Sequence, residues 1–501
     1  MIGILLCSLF IVLALGSNDP VQIQCPSFNS TITPDLALPS NTYYYPYPFD
    51  QNSTISSYTP NQFCKFIVEI PKLQYAYFTM MADINDDSML TITDCNGKSE
   101  IVMTSEFQPY VFVGGQFSIS LLVGTNGNNT RFAFQVQWSD FPTPNPAFYT
   151  VTKTGPALFF DEMLFENSVT ITAETRATIV AFPSTYPDFT PLLRITLVFD
   201  GPDLNSPYLG TLFQALRSNK PMVSKSRQMT IFTFQENYLV GSNFVVQDYY
   251  NVQNLSESRG ITCWSQSSCP VTLNAANGPV SAMTLNADDG DEYIKRLDLS
   301  PGSILKIYCG AKKEDDDSNL IVTYNAEQSK TNIPQKFYGD IMTYYLANGT
   351  ALVELAEDSN YTRWNDASSG REGFMSSRKF GELEFYQDVY EEIGGFYLNS
   401  TFQFEVNVTH LDVSNVAVLT LTFGNETGSP TIHQISNSTN FQLGQVIEAV
   451  GRNMTVSYFT NGTATNGFFL NFKISSLETK FANFKHPKVI LVISVLSMML
   501  F

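Results

Sequence analysis

The chain has 501 residues, of which 15% are charged and 13% aromatic, with 39 Phe and 25 Tyr. Ordinary domains carry about 25% charged residues, so disorder, collagen and coiled coil are excluded as the main architecture, and the aromatic excess favours short strands on half-buried sheets. Acidic residues outnumber basic ones 47 to 28, a net charge of −19 that repels phosphate backbones and removes nucleic acid as a partner, and the three His leave little for metal or acid–base chemistry.

Ile2 to Leu15 is an apolar run without charge, and Ala14-Leu15-Gly16 puts small residues at the −3 and −1 positions. This predicts a secretory signal peptide over 1–16, cleaved after Gly16. The run is short of the ~20 residues that span a bilayer. The first folded unit follows over 21–144 and closes on Pro142-Thr143-Pro144. Cys64, Phe66, Val68 and Ile70 alternate before Pro71; Phe117, Ile119, Leu121 and Val123 alternate before the turn cluster Gly124 to Asn129; Phe132, Phe134, Val136 and Trp138 alternate after it. Period-two alternation on both sides of a turn predicts a β-hairpin with one buried face.

A second unit spans 145–252. Its strand Ile195 to Phe199 has the pattern of Leu419 to Phe423, and its pair Ser226 to Ile231 and Phe244 to Val246 has the pattern of Gly451 to Val456 and Phe468 to Phe472. Two matches at nearly one offset predict a module used repeatedly, with a weaker third copy at Ser303 to Tyr308 and Leu320 to Val322. One short helix is predicted, capped by Ser206, with Pro207 in its first turn and an apolar stripe of Leu209, Leu212, Phe213 and Leu216. A short third unit over 253–328 and a fourth over 329–475 complete an all-β chain of tandem β-sandwich modules.

Cys7 lies in the signal peptide. The other cysteines are Cys25, Cys64, Cys95, Cys263, Cys269 and Cys309. Their even number in a secreted chain predicts disulfides, with fifteen connectivities open. No C-x-x-C spacing occurs, which points away from zinc. Twelve N-x-S/T sequons stand at Asn29, Asn52, Asn128, Asn254, Asn348, Asn360, Asn399, Asn407, Asn425, Asn437, Asn453 and Asn461. Eight follow residue 340, which predicts a glycosylated outer surface there.

The C-terminus carries small residues Ser475 and Ser476, a polar spacer from Glu478 to Lys488, and an uncharged tail from Val489 to Phe501. Small site, spacer and short terminal apolar tail predict a GPI-attachment signal over 476–501, with the lipid on Ser475 or Ser476 and a membrane reached through that lipid.

Chemical motifs are sparse. His410 and His433 read as lone surface residues, and H-E-x-x-H, G-x-S-x-G and phosphate loops are absent from the sequence. Asp288 to Glu292 and Glu314 to Asp317 lack the spacing of a calcium loop and read as solvated turns. Glu391 and Glu392 are adjacent, and on a strand they point to opposite faces, unlike the paired carboxylates of a glycosidase. No catalytic, metal or cofactor-binding residue is predicted. The run Thr42-Tyr43-Tyr44-Tyr45-Pro46-Tyr47-Pro48-Phe49 is aromatic enough for a sugar platform.

Cys25-Pro26, Tyr44-Tyr45-Pro46, Asn61-Gln62-Phe63-Cys64 leading into Phe66 to Pro71, Tyr110 to Val113, and Phe134 to Trp138 stand in an order that resembles the CUB-like domain family expanded in nematodes. The resemblance covers 25–141. It implies a jelly-roll type β-sandwich, a Cys25–Cys64 disulfide, a secreted or surface protein often linked to responses to infection, and no enzymatic activity. In ordinary CUB domains it also implies calcium held by loop carboxylates. Asp86-Asp87 and Asp94 flank the strand Met89 to Thr93 where such groups would sit, but the later turn offers only Asn126, Asn128 and Asn129, so calcium is not expected.

Together these readings favour a non-enzymatic, GPI-anchored, glycosylated surface protein with a binding role in defence, its ligand an extracellular protein or glycan. The alternatives are a secreted lectin-like binder using Tyr43 to Tyr47 and a carboxylate-dependent glycosidase.

Overall fold

The computed structural model describes residues 22–477 apart from 27–28, 35–40, 47–54, 105–108, 127–128, 161–166, 235–242, 264–267, 287–290, 328, 358, 382, 386, 396–399, 415 and 426–427. The signal peptide, the spacer and tail from Glu478 on, and the sequons Asn52, Asn128 and Asn399 lie outside the described residues.

The first sandwich is built from β1 (Ser30–Ile32), β2 (Thr42–Tyr45), β3 (Phe63–Glu69), β4 (Gln74–Asp83), β5 (Met89–Thr93), β6 (Ser99–Val102), β7 (Tyr110–Phe112), β8 (Gln116–Leu122) and β9 (Arg131–Asp140). One sheet has the order β1-β3-β8-β5-β6 and the other β2-β9-β4-β7, with β1 and β3 parallel. Alternation explains the layering. Phe66, Val68, Ile119 and Leu121 point inward from one sheet, Phe78, Phe134 and Val136 from the other, and all are buried. Cys25 and Cys64 are bonded, tying the N-terminal segment to β3, as the family resemblance implied. Closing a loop of this length stabilises by roughly 2–4 kcal/mol.

The same nine-strand topology recurs three times. Strands β10–β18 lie between Pro146 and Asp248, β19–β27 between Glu257 and Ala356, and β28–β36 between Asp366 and Ser476. Each set gives a five-stranded sheet in the order first-third-eighth-fifth-sixth and a four-stranded sheet in the order second-ninth-fourth-seventh. In each, the first and third strands pair in parallel. The chain is thus all-β, with tandem β-sandwiches and few short helices among the described residues. It divides into two compact units. The first runs through Thr362 and takes in Lys379–Glu382, and it holds three sandwiches; the second is the fourth sandwich. Within the first unit, Val111 and Val113 pack with Leu197, Phe199 and Phe232 across the first junction, and Val180, Phe182 and Val245 with Met283 and Leu285 across the second.

Four expectations change. The alternating pair 117–123 and 132–138 is not a hairpin: β8 bonds β3 and β5, whereas β9 bonds β2 and β4 in the opposite sheet. Alternation specifies a buried face but not a neighbour, and both sheets of a sandwich present one. The third unit does not end at 328. β25 (Gln335–Phe337), β26 (Ile341–Leu346) and β27 (Thr350–Ala356) complete it, and β26 and β27 are its eighth and ninth strands. The weaker third copy at 303–322 falls on the fifth and sixth strands, so the module was closed one sheet edge too early. The helix α1 is Leu212–Arg217, because Tyr208–Thr211 forms a strand. Its cap is Thr211, whose hydroxyl accepts from the Gln214 amide at 3.2 Å while the Gln214 side chain accepts from the Thr211 amide at 3.3 Å. Ser206 instead closes a turn on Asp203. Finally, the acidic run at 288–292 is not wholly a solvated turn: Glu292 opens β22 (Glu292–Leu299) and is 2% exposed.

Candidate functional site

The carboxylates flagged in the first sandwich do not converge. Asp86 and Asp87 precede β5 and Asp94 follows it, so the five residues of β5 separate them by roughly 17 Å. Asp87 accepts from the Asn126 amide at 2.8 Å and the Thr125 hydroxyl at 3.1 Å, and the Asn126 amide above all holds its carboxyl below the usual range. Asp94 is 7% exposed. One oxygen accepts from the amides of Asn96 and Lys98, each at 2.9 Å, and the other from the Gln214 side chain at 2.8 Å. Asp87 is engaged by the 125–126 turn, and Asp94 by its own turn and by Gln214. Removing calcium with a chelator should therefore leave the thermal midpoint unchanged; a rise of several degrees with millimolar calcium, lost in Asp94→Ala, would contradict this geometry.

Elsewhere the candidate carboxylates are also committed locally. Glu314 meets Lys312 at 2.9 Å, Asp315 accepts from Tyr250 at 2.7 Å, Asp316 from Ser318, and Asp317 from Tyr308 and Lys306, each at 2.8 Å. Glu391 accepts from the Trp364 indole, while Glu392, on the opposite face of the strand, accepts from Asn453. Among the described residues no group of three or more His, Cys, Asp and Glu is placed to hold a metal ion.

The aromatic run does not form an exposed platform. Tyr43 and Tyr45 lie against Phe134, with ring centroids 6.2 and 5.6 Å away, and Tyr45 lies 4.6 Å from Phe66. Tyr47 lies outside the described residues. Of the sequon residues, Asn29, Asn254, Asn348, Asn360, Asn425, Asn437 and Asn461 are exposed, and Asn407 and Asn453 are half-buried on strands. Ser475 and Ser476 end β36 (Phe468–Ser476), paired with Gln403 and Phe402. A second disulfide joins Cys263 and Cys269. Burial and the Asp94 charge push the Cys95 thiol up to about 11, so it stays protonated.

The concave site that gathers charged groups is one the sequence did not reveal. A cavity of about 540 Å³ lies between the first and second sandwiches, lined by Glu100, Tyr110, Phe112, Arg194, Phe213 and Arg217. Arg194 comes from the 3-10 segment Pro187–Ile195, is 3% exposed, and pairs with Glu100 on β6. Its guanidinium carbon sits 4.2 Å from both the Tyr110 and Phe213 rings. Tyr110 donates to Glu100 at 3.2 Å, and Arg217 reaches the same carboxylate at 3.8 Å. Next to it, Asn96 and Lys98 donate, each at 3.0 Å, to the carbonyls of Tyr208 and Leu209, on the edge strand β15 (Tyr208–Thr211). An edge strand leaves such groups unpaired, and here the neighbouring module supplies their partners. The arrangement clamps two modules and leaves an amphipathic cleft at the seam. The available signal was Arg194 standing alone in the apolar run Leu192 to Val198: a single cation in such a run has to find a counter-charge.

Residues 21–142 match the family model described as CUB-like domain. Residues 150–234 and 250–358 match two others, each described as a domain of unknown function, DUF7592 and DUF7591. The second of these spans the third sandwich through Ala356. No curated protein matches the chain. Solved structures similar to it include the CUB1-EGF-CUB2 domains of human MASP-1/3 (10% identity, TM-score 0.17, covering 41% of this chain and 98% of that one) and of rat MASP-1 (10%, 0.18, 44% and 100%). The full extracellular region of zebrafish Gpr126/Adgrg6 is also similar (8%, 0.18, 66% and 52%). These scores carry no functional argument. The sequence match and the nine-strand sandwich agree: residues 21–142 are similar to a CUB-like domain.

Proposed function

We propose that the chain is a non-enzymatic binding protein of the cell surface, N-glycosylated, held by a GPI anchor and acting in defence against infection. The observation that carries this reading is the pairing of two disulfides, Cys25–Cys64 and Cys263–Cys269, with exposed sequon asparagines over the same modules. Disulfides persist in oxidising compartments, and a CUB-like domain is typically an extracellular module. Among the described residues no helix is long and apolar enough to cross a membrane. The Ser476 amide donates to Ser369 at 3.0 Å, so the proposed attachment point is held against the fourth sandwich. Binding is proposed for the seam between the first two modules, where apolar rings and two arginines line one cleft.

Treating cells that express the full chain with phosphatidylinositol-specific phospholipase C should release it to the medium. Retention on the cells, with an epitope placed after Phe501 still present, would overturn the anchoring.

A further inference from the structure

Phe459 ends β35 (Asn453–Phe459) in the fourth sandwich. Its neighbours along the strand alternate: Met454, Val456 and Tyr458 are buried, and the residues between them face out. Phe459 itself is 53% exposed. Strand register puts it opposite Val418 and two residues beyond Ser457, the partner of the exposed Tyr390. Two residues further on stands Asn461, a sequon residue whose side chain is also exposed.

The turn between them is firmly held. Thr460 is buried, and its amide and hydroxyl both donate to Asp388, at 2.7 and 2.6 Å. The Thr463 amide donates back to the Thr460 carbonyl at 3.1 Å, and its hydroxyl to the same oxygen at 2.7 Å. Asn461 and Gly462 have φ of 51° and 72°. Two central residues in the left-handed region, Asn then Gly, make a type I′ turn. The turn fixes where a substituent on Asn461 begins, and the Cα atoms of 459 and 461 are at most about 7 Å apart.

We infer that Phe459 is the platform for the N-glycan of Asn461, the first sugar lying with its C–H face on the exposed ring. This rests on the glycosylation proposed above. A pyranose presents axial C–H groups that suit an aromatic π-face, and its acetamido N–H is a further donor to such a face. The anchored turn limits the entropy lost when the sugar settles. Thus an exposed aromatic on the outer face has an occupant carried by its own chain. The chain also holds an internal contrast. Phe423-Gly424-Asn425 repeats the spacing, but Phe423 is 0% exposed and faces the core, so that ring is closed to a sugar on Asn425.

The test uses full-length chain expressed in glycosylating cells, as wild type, Phe459→Ala, Asn461→Asp and the double variant. Aspartate tolerates the left-handed conformation, so the turn survives. Glycopeptide mass spectrometry should find Asn461 occupied. Phe459→Ala should then raise the unfolding equilibrium constant of the fourth sandwich on the order of fivefold more in the glycosylated chain than in Asn461→Asp, the size of other contacts on a ring face. Phe459→Tyr should keep that coupling. An unoccupied Asn461 would overturn the glycosylation at this site and the inference with it. Occupancy with strictly additive effects would overturn the inference alone. So would a loss of self-association in Phe459→Ala, which would show that the ring serves a second copy.

Discussion

Replacing Glu100 by alanine should destabilise the first unit by about 3–5 kcal/mol, because it breaks a largely buried ion pair at the module seam. Arg194 is 3% exposed and wedged between two rings, and the Glu100 carboxylate meets its guanidinium. The reverse change should cost less. In Arg194→Met the stem still packs between Tyr110 and Phe213, and Glu100, at 20% side-chain exposure, reaches water and Arg217. Denaturant unfolding of the three proteins measures the asymmetry. A Glu100→Ala effect below about 1 kcal/mol would place the pair with solvent-screened surface bridges instead, and the two modules would then be held by the apolar cluster around Val111 and Phe232 and the Asp94, Asn96 and Lys98 hydrogen bonds.

The second large effect belongs to Glu292 in the third sandwich. It accepts from Tyr344, and Thr284 and Asn286 lie near enough to favour its charged form. Burial outweighs these bonds and raises its pKa from 4.5 to about 7. The sign follows from proton binding. Below pH 4.5 the residue is protonated whether folded or not, and its contribution to stability is fully present. As pH rises the unfolded chain loses the proton first, so that stability is lost progressively up to about pH 7 and stays lost above it. At about 1.4 kcal/mol per unit, the loss is about 3 kcal/mol. Glu292→Gln keeps an acceptor for Tyr344 and removes the titration. The variant should therefore gain about 3 kcal/mol over wild type between pH 4.5 and pH 8 in denaturant unfolding. Parallel curves for the two proteins across that range would show that Glu292 is hydrated.

Both groups mark where the sequence stopped being readable. Alternating runs such as Phe66-Val68-Ile70 and Phe132-Phe134-Val136 declare sandwich strands, since each has one face to bury. The recurrence of Ile195–Phe199 at Leu419–Phe423 correctly joined fifth strands of two modules, β14 (Thr196–Phe199) and β32 (Val418–Gly424). What alternation does not carry is the partner of each strand, so a crossing between sheets read as a hairpin and the third module closed too soon. The seam was hidden for a related reason. Arg194 and Glu100 are 94 positions apart and meet only because two modules pack edge to edge. Glu292 was hidden by its acidic neighbours, which made a buried carboxylate look like part of a solvated run. Asp94 shows the opposite case: the family resemblance puts it where a calcium ligand would sit, the later turn without carboxylates argues against calcium, and the structure spends it on Gln214.

Peptide mapping of the non-reduced chain, isolated from the cells that make it, tests the central claim most directly. The account predicts the Cys25–Cys64 and Cys263–Cys269 disulfides together with glycans on exposed sequons, Asn437 and Asn461 among them. Free thiols at Cys25 and Cys64 with unmodified sequons would place the chain in a reducing compartment and contradict it.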